Sequence, residues 1–480
     1  MSVLKEKALH DKHHNNNHDS SASFHYADLK AISHASDKLS TKLRLSLFTI
    51  VLILALCVII APVITLLKLT AFIAWLSVII GIIRLAACLQ PKPKPFEITP
   101  DAANEPIKSH PPYTVLVPLF HEANIVESLM NNLEALDYPE DKLEIFLICE
   151  IIDPITISAV KRRIRPPFEL IVVPKGTPQT KPRALNYALQ FSRGRYVTIY
   201  DAEDRPHPKQ LKTALAAFKA HPEWAALQAP LDYYNISESF IARQFALEYA
   251  ALFHVRLPYL GSLGAPFPLG GTSNHMRREC LDMCGGWDSH NVTEDADLSF
   301  RLAAQGQKIG YITPPTIEEA VATYKAWRPQ RIRWMKGYIQ TWLVHMNQPY
   351  QPIGKIGVKR FLTLQITLGY TLLSSLLFTP FVCLASLYTI SIFIFDAPNY
   401  ISWTHMTALL FSMSIGILIG ITGAIRRRAY SLIPWAFLMP FYWTLLFWPT
   451  VQAIFELRSR PFHWHKTTHG VSRQTLNEVS

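Results

Sequence analysis

Apolar residues are unevenly spread along this chain. They collect in long unbroken blocks near both ends and in short, spaced runs between them. Residues 46–67 and 69–89 are almost free of charge, and each is long enough for a bilayer-spanning helix, which takes about 20 residues. Lys68 separates them, which predicts a helical hairpin over 46–89 with both ends on the same side. Pro91, Pro93 and Pro95 then predict a stiff exit, with Lys92 and Lys94 between them. Apolar blocks return at 361–395, 401–425 and 429–457. The last predicts a short hairpin or re-entrant segment bent at Pro434, Pro440 or Pro449.

The stretch between these blocks has a different rhythm. Short apolar runs at 113–120, 143–150, 169–174 and 196–200 predict strands, and helical patterns at 125–136 and 182–191 fall between them. Such alternation predicts an α/β sheet with mostly parallel strands. Ligands of such sheets bind at the carboxyl ends of the strands. Glu122, Glu150 and Asp201 each close or follow one of the runs.

Five regions follow: a polar stretch over 1–42 with a His/Asn tract, predicted to be disordered; the hairpin 46–89; the α/β unit 110–350; apolar helices over 355–457; and a basic tail over 458–480. The first apolar run begins only near residue 46, so no signal peptide is expected. A hydrophobic share of 49% fits a membrane enzyme better than a soluble one. The formal net charge of +11 sharpens this. Lys42 and Arg44, Lys355, Lys359 and Arg360, Arg426 to Arg428, and Arg458 and Arg460 flank the apolar blocks, as the positive-inside rule predicts. Nucleic-acid binding would instead need basic and aromatic residues interleaved in a stripe, so no nucleic-acid partner is expected. The six cysteines are scattered and match neither a zinc site nor a disulfide framework.

Three segments carry candidate chemistry. Tyr200-Asp201-Ala202-Glu203-Asp204 follows a strand, and clustered carboxylates there suit a divalent cation that neutralises a diphosphate. Thr293-Glu294-Asp295 opens a helical stretch. Thr293 is a candidate N-cap, and the helix dipole favours a charged Asp295, as a general base requires. Gln330-Arg331-Ile332-Arg333-Trp334 combines a guanidinium fork for phosphate with an aromatic face for a sugar. Each alone also reads as ordinary structure: a polar turn, an acidic helix start and a basic interfacial helix.

In this order and spacing the three segments resemble those of the processive family 2 glycosyltransferases, which include cellulose, hyaluronan and curdlan synthases. The resemblance covers about 112–345 closely and 46–467 in layout. It implies an α/β GT-A glycosyltransferase domain, with a mixed, mostly parallel sheet, inserted between N-terminal and C-terminal transmembrane helices. It also implies an inverting transfer from a nucleotide sugar, UDP-linked by expectation, to a growing β-linked exopolysaccharide, with translocation of that polymer as in biofilm formation. Position by position, Glu122, Glu150, Lys181 and Arg183 would contact the donor nucleoside. Asp201, Glu203 and Asp204 would hold the diphosphate and a divalent metal, Mg2+ or Mn2+. Asp295 would be the base, supported by Glu294. Gln330 and Arg333 would hold the diphosphate, and Trp334 the acceptor. The loop at Gly270, Gly271, Thr272, Ser273 and Asn274 looks like the acceptor loop. Phe462 to Thr467 looks like the family's W-x-K-T element at the channel mouth. Trp403, Trp435, Trp443 and Trp448 are candidates for a sugar-stacking channel lining.

Asp201-Ala202-Glu203 departs from the family's Asp-x-Asp, Glu150 stands where many members carry Asp, and no PilZ domain is visible. The implied location is the bacterial inner membrane, multi-pass, with a cytoplasmic catalytic domain. The implied partners are a nucleotide-sugar donor, a polysaccharide acceptor, the lipid bilayer and a periplasmic or membrane subunit. Two competing readings are a non-processive transferase that loads one sugar onto a lipid carrier, and an idle receptor or scaffold with a transferase fold.

Overall fold

A computed structural model describes residues 34–92, 110–347, 353–395 and 403–463. The His/Asn tract, Pro93, Pro95 and residues 464–467 lie outside the described residues.

Among the described residues ten strands run in chain order: β1 (Tyr113–Leu119), β2 (Leu143–Glu150), β3 (Phe168–Val173), β4 (Tyr196–Ile199), β5 (Arg205–Pro206), β6 (Trp224–Gln228), β7 (Leu231–Tyr233), β8 (Asn274–Arg277), β9 (Lys308–Tyr311) and β10 (Thr316–Glu318). The main sheet has the order β3-β2-β1-β4-β8-β6-β9. β3, β2, β1 and β4 pair in parallel, β8 runs antiparallel to both neighbours, and β6 and β9 are parallel. A small second sheet, β5-β10-β7, lies beyond the carboxyl end of β4 in sequence and brings Arg205 against Ile317. The central strands are buried on both faces: every residue of β2 and β4 is buried. Helices on each side explain this. Leu129, Met130 and Leu133 pack against Val115 and Leu147, while Leu185 and Leu189 pack with Leu116 and Ile199. This is the alternating architecture the apolar runs predicted.

Among the described residues, four helices are long and apolar enough to cross a membrane: Thr41–Ile60, Pro62–Leu89, Gly357–Ile392 and His405–Arg427. A fifth candidate is broken, Tyr430–Ala436 followed by Met439–Ser459 at 63°. The predicted bend is therefore present, and it falls between Pro434 and Pro440. The first break differs from expectation: it lies at Ala61, not Lys68. Proline disfavours helical geometry in the residue before it, and Ala61 has φ −144° and ψ 70°. Pro62 then fits the first helical position, where no N–H is needed. Lys68 stays helical, because a lysine can snorkel from an apolar helix.

The α/β unit and the C-terminal helices share one core. Tyr233, Phe245, Leu247 and Trp327 cluster with Leu432, Met439 and Tyr442. The helix Trp403–Arg427 packs on Phe240–Ala251 so closely that a Cβ at Gly423 would meet the Ala250 backbone at 2.5 Å. All six cysteines are free thiols.

Candidate active site

The site is assembled at the carboxyl ends of β1, β2 and β4. β4 ends at Ile199, and the chain turns at once. Asp201 N donates to Asp204 Oδ2 at 2.8 Å and Asp204 N to Asp201 O at 3.1 Å, which closes the turn on itself. Thr272 Oγ1 also donates to Asp204 Oδ2. Asp204 is thus spent on the turn. It is fully buried and does not line the cavity, whereas Asp201 and Glu203 do.

Lys181 begins the helix Lys181–Leu189 and spans the cleft floor. Its Nζ donates to Asp201 Oδ1 at 2.5 Å and to Gly271 O at 2.8 Å. Burial pulls the Lys181 pKa down, but Asp201, Glu294 and Asp295 outweigh it and hold the ammonium charged. Arg183, two residues on, lies behind the cavity wall. It donates to Glu150 Oε2 at 3.0 Å and to Pro174 O at 2.9 Å, and so orients Glu150, which does line the cavity. Burial still raises the Glu150 carboxyl above its usual value despite Arg183.

Glu294 and Asp295 open the helix Glu294–Ala304. Thr293 sits at the N-cap but its hydroxyl does not cap; it lies 3.4 Å from Asn291 Oδ1. Asp295 Oδ1 accepts from Ala296 N at 2.8 Å. A Cβ on Gly271 would lie 3.4 Å from Asp295 Oδ2 and 3.8 Å from Lys181 Nζ, so Asp201 and Asp295 flank the same ammonium. The helix start was expected to favour the ionised carboxylate. Such a dipole is worth about 0.3–1 kcal/mol, and burial exceeds it. The Asp295 pKa is raised, first by burial, against the Ala296 N–H, Lys181 and Arg333. Burial and Asp295 push Glu294 up to about 7.

The third segment lies on the helix Tyr324–Met346. Gly337 lets that helix approach: a Cβ there would meet Thr293 at 2.4 Å. Gln330, Arg333 and Trp334 then line the cavity. The buried Gln330 Oε1 has no hydrogen-bond partner among the described residues. Arg331 reaches the cavity as well, but its guanidinium is already engaged. It makes a forked pair with Glu248 at 2.8 and 2.6 Å, and Trp334 covers its guanidinium at 4.4 Å. Lys336 ties in the chain after the last helix, donating to His463 O at 2.9 Å. Phe462 and His463 thereby reach the cavity.

The result is one cavity of about 810 Å³. It brings together Glu122, Glu150, Lys181, Asp201, Glu203, Gly271, Thr272, Glu294, Asp295, Gln330, Arg333 and Trp334. Arg183, Asp204 and Ser273 stand outside it. Ser273 has φ 55° and gives its hydroxyl to Thr316 Oγ1 at 2.5 Å. Of the tryptophans expected to line a channel, Trp435 stacks under Arg243 at 4.4 Å, Trp443 packs on Gly416, Trp448 is exposed, and the side chain of Trp403 lies outside the described residues. Sequence reasoning missed Glu248, Glu318 and Glu319, which also line the cavity. The rule that found Asp201, an acid at a strand's carboxyl end, also fits Glu318 and Glu319 at the end of β10.

The acids fit a divalent cation in a limited way. Burial, then Asp201 and Glu122, drive the Glu203 pKa well above its usual value; Glu318 is raised likewise by burial, Asp204 and Glu203. The cluster thus holds more negative charge than its cations offset. Among the described residues, however, no three ligating groups gather around one point. The protein could supply Asp201 and Glu203, and a bound diphosphate and water the rest, a common arrangement for Mg2+.

Comparison with known proteins agrees. The model of glycosyl transferase family 2 matches residues 114–274, and that of glycosyl transferase family group 2 matches residues 196–451, more than half of the chain. The chain is 28% identical over 416 residues to a beta-monoglucosyldiacylglycerol synthase of Synechocystis sp., covering 81% of each protein. It is 25% identical over 239 residues to glucomannan 4-beta-mannosyltransferase 1 of Oryza sativa subsp. japonica, covering 47% of this chain and 45% of that one. Among solved structures, a mannosyltransferase from Pyrobaculum calidifontis in complex with GDP-Man and Mn2+ aligns at a TM-score of 0.46 and 19% identity, over 80% of this chain and 98% of that one. The chain belongs to glycosyl transferase family group 2, and it is a family 2 glycosyltransferase with a GT-A-like α/β domain.

Proposed function

We propose that this enzyme lies in a bacterial inner membrane, with its catalytic domain cytoplasmic, and moves a sugar with inversion from a nucleoside-diphosphate sugar to a hydroxyl presented from the bilayer. The observation that carries the reading is the convergence of Asp201, Glu203, Asp295, Arg333 and Trp334 on a single cavity. Glu122 and Glu150 take the nucleoside, with Arg183 holding Glu150 in place. Lys181 and Arg333 face the diphosphate. A divalent cation, Mg2+ or Mn2+, held by Asp201 and Glu203 would supply charge that neutralises the leaving diphosphate. Asp295 takes the proton of the attacking hydroxyl. Burial raises the Asp295 pKa, which makes the carboxylate a stronger base than a solvated one. Trp334 offers its face to the acceptor.

The far wall of the cavity favours a lipid-borne acceptor. It is built from Leu252, Phe253, Leu257, Leu260, Leu368 and Leu446, a surface that holds acyl chains better than sugars. The Synechocystis relative, named for a glucosylated diacylglycerol, points the same way. A second reading, processive extension of a β-linked exopolysaccharide, rests on Trp334 at the cavity wall. Product length on a gel separates the two. Asp295→Asn tests the common mechanism: transfer should fall on the order of 10²–10⁴-fold with donor binding kept. Near wild-type transfer by the purified variant would remove the assignment.

A further inference from the structure

Arg256 ends the π-helical turn Leu252–Arg256 and lines the cavity among Leu252, Leu257, Leu260 and Leu368, on a stretch whose Ala251 and Val255 pack against Ala87 and Ile419 of the apolar helices. Arg84, near the end of the helix Pro62–Leu89, is close enough to repel it and lies over the Tyr370 ring at 5.5 Å. No hydrogen bond or ion pair joins either guanidinium to a described residue. The other arginines near the cavity differ: Arg331 has Glu248, and Arg183 has Glu150. Glu248 is not open to Arg256, since Arg331 and Tyr442 already occupy its oxygens. Burial first, and Arg84 second, pull the Arg256 pKa down to about 10. Glu248 offsets this only in part, and a guanidinium in an apolar wall without a partner of its own is costly.

Arginines that merely snorkel would turn to the outer surface, whereas Arg256 faces the cavity. Tyr338 stands between the two ends of the cavity and feels the charges of both Asp295 and Arg256. The missing partner is therefore an anion that enters with the bilayer-side ligand. A guanidinium fork matches phosphate oxygens. We propose that Arg256, backed by Arg84, binds the phosphate of a membrane lipid at the bilayer end of the cavity. This rests on the reading that the acceptor arrives from the bilayer. The phosphate belongs either to the acceptor itself or to a phospholipid beside it.

The test uses the full chain in vesicles of digalactosyldiacylglycerol, a bilayer lipid without phosphate. One arm compares a polyprenyl-diphosphate-linked monosaccharide with diacylglycerol as acceptor. The other adds phosphatidic acid to the diacylglycerol vesicles. Arg256→Gln should raise the acceptor KM about tenfold in the arm where lipid phosphate helps the native enzyme. Arg256→Lys should recover part of that, and nucleoside-diphosphate binding by calorimetry should be unchanged. An effect in the first arm assigns the phosphate to the acceptor, and in the second to a neighbouring lipid. Arg84→Gln gives a smaller shift of the same sign and serves if Arg256→Gln does not fold. An equal loss with diacylglycerol in pure digalactosyldiacylglycerol, which offers no phosphate, or no loss in either arm, overturns the proposal. If Asp295→Asn abolishes transfer while these changes are absent, only the phosphate site falls. If Asp295→Asn stays active, the mechanism itself falls.

Discussion

The two ends of the cavity are built on opposite plans. At the sheet end, carboxylates crowd together, and burial pushes Glu203, Glu294 and Asp295 towards their neutral forms. At the helix end, the Arg256 guanidinium stands in an apolar wall, and burial pulls it towards its neutral form. In both places the fold supplies less counter-charge than burial demands. A protein optimised only for stability would pair these groups or replace them with apolar ones. Leaving each end unbalanced is what lets a donor complex and an acceptor complete them separately.

This contrast can be broken in three ways. The largest effect is expected from Asp201→Asn, which removes the carboxylate shared with Lys181. Transfer should fall about 10²–10³-fold, with a raised donor KM and an unchanged acceptor KM in steady-state kinetics. If both KM values rise together, the two ends are not independent. Next, Gly423→Ala would press a Cβ against the Ala250 backbone, just before the turn that carries Arg256. Overpacking of this kind costs roughly 1–3 kcal/mol. A lower Tm and a raised acceptor KM should follow, while the donor KM stays put. The smallest is Glu294→Gln. The folded-state pKa of Glu294, about 7, lies above its usual 4.5, so the folded state holds that proton more tightly. Its contribution is fully present below pH 4.5 and is lost as the pH rises through 7. The amide should therefore raise Tm at pH 8, by on the order of 1–2 kcal/mol of stability, and leave it unchanged at pH 4. An equal shift at both values would show that Glu294 does not titrate there.

Local chemistry made much of this architecture legible. The apolar runs of β1 to β4 are long enough to announce themselves, and acids at strand ends and helix starts mark their own positions. The small sheet was not legible, because strands of two or three residues carry no period. Asp204, Arg183 and Ser273 show a finer limit. Each belongs to the right segment, but a tight turn or a helix start points only some of its side chains at the ligand. Glu248 and Arg256 come from segments with no motif, and only packing across the helices brings them to the cavity, while Glu318 ends a strand too short to be read. The break at Ala61 shows that a proline outweighs a charge in ending an apolar helix.

Tyr442 has a consequence for biogenesis. Its hydroxyl receives Trp327 Nε1 at 2.8 Å and Arg331 Nη2 at 2.9 Å, and donates to Glu248 at 3.0 Å. The ribosome finishes the catalytic half long before it reaches residue 442. Until the last helices have emerged and inserted, Arg331 and Glu248 wait without their keystone. A version truncated for solubility at residue 347 would carry that unfinished joint permanently, so expression trials should begin from the whole polypeptide in lipid.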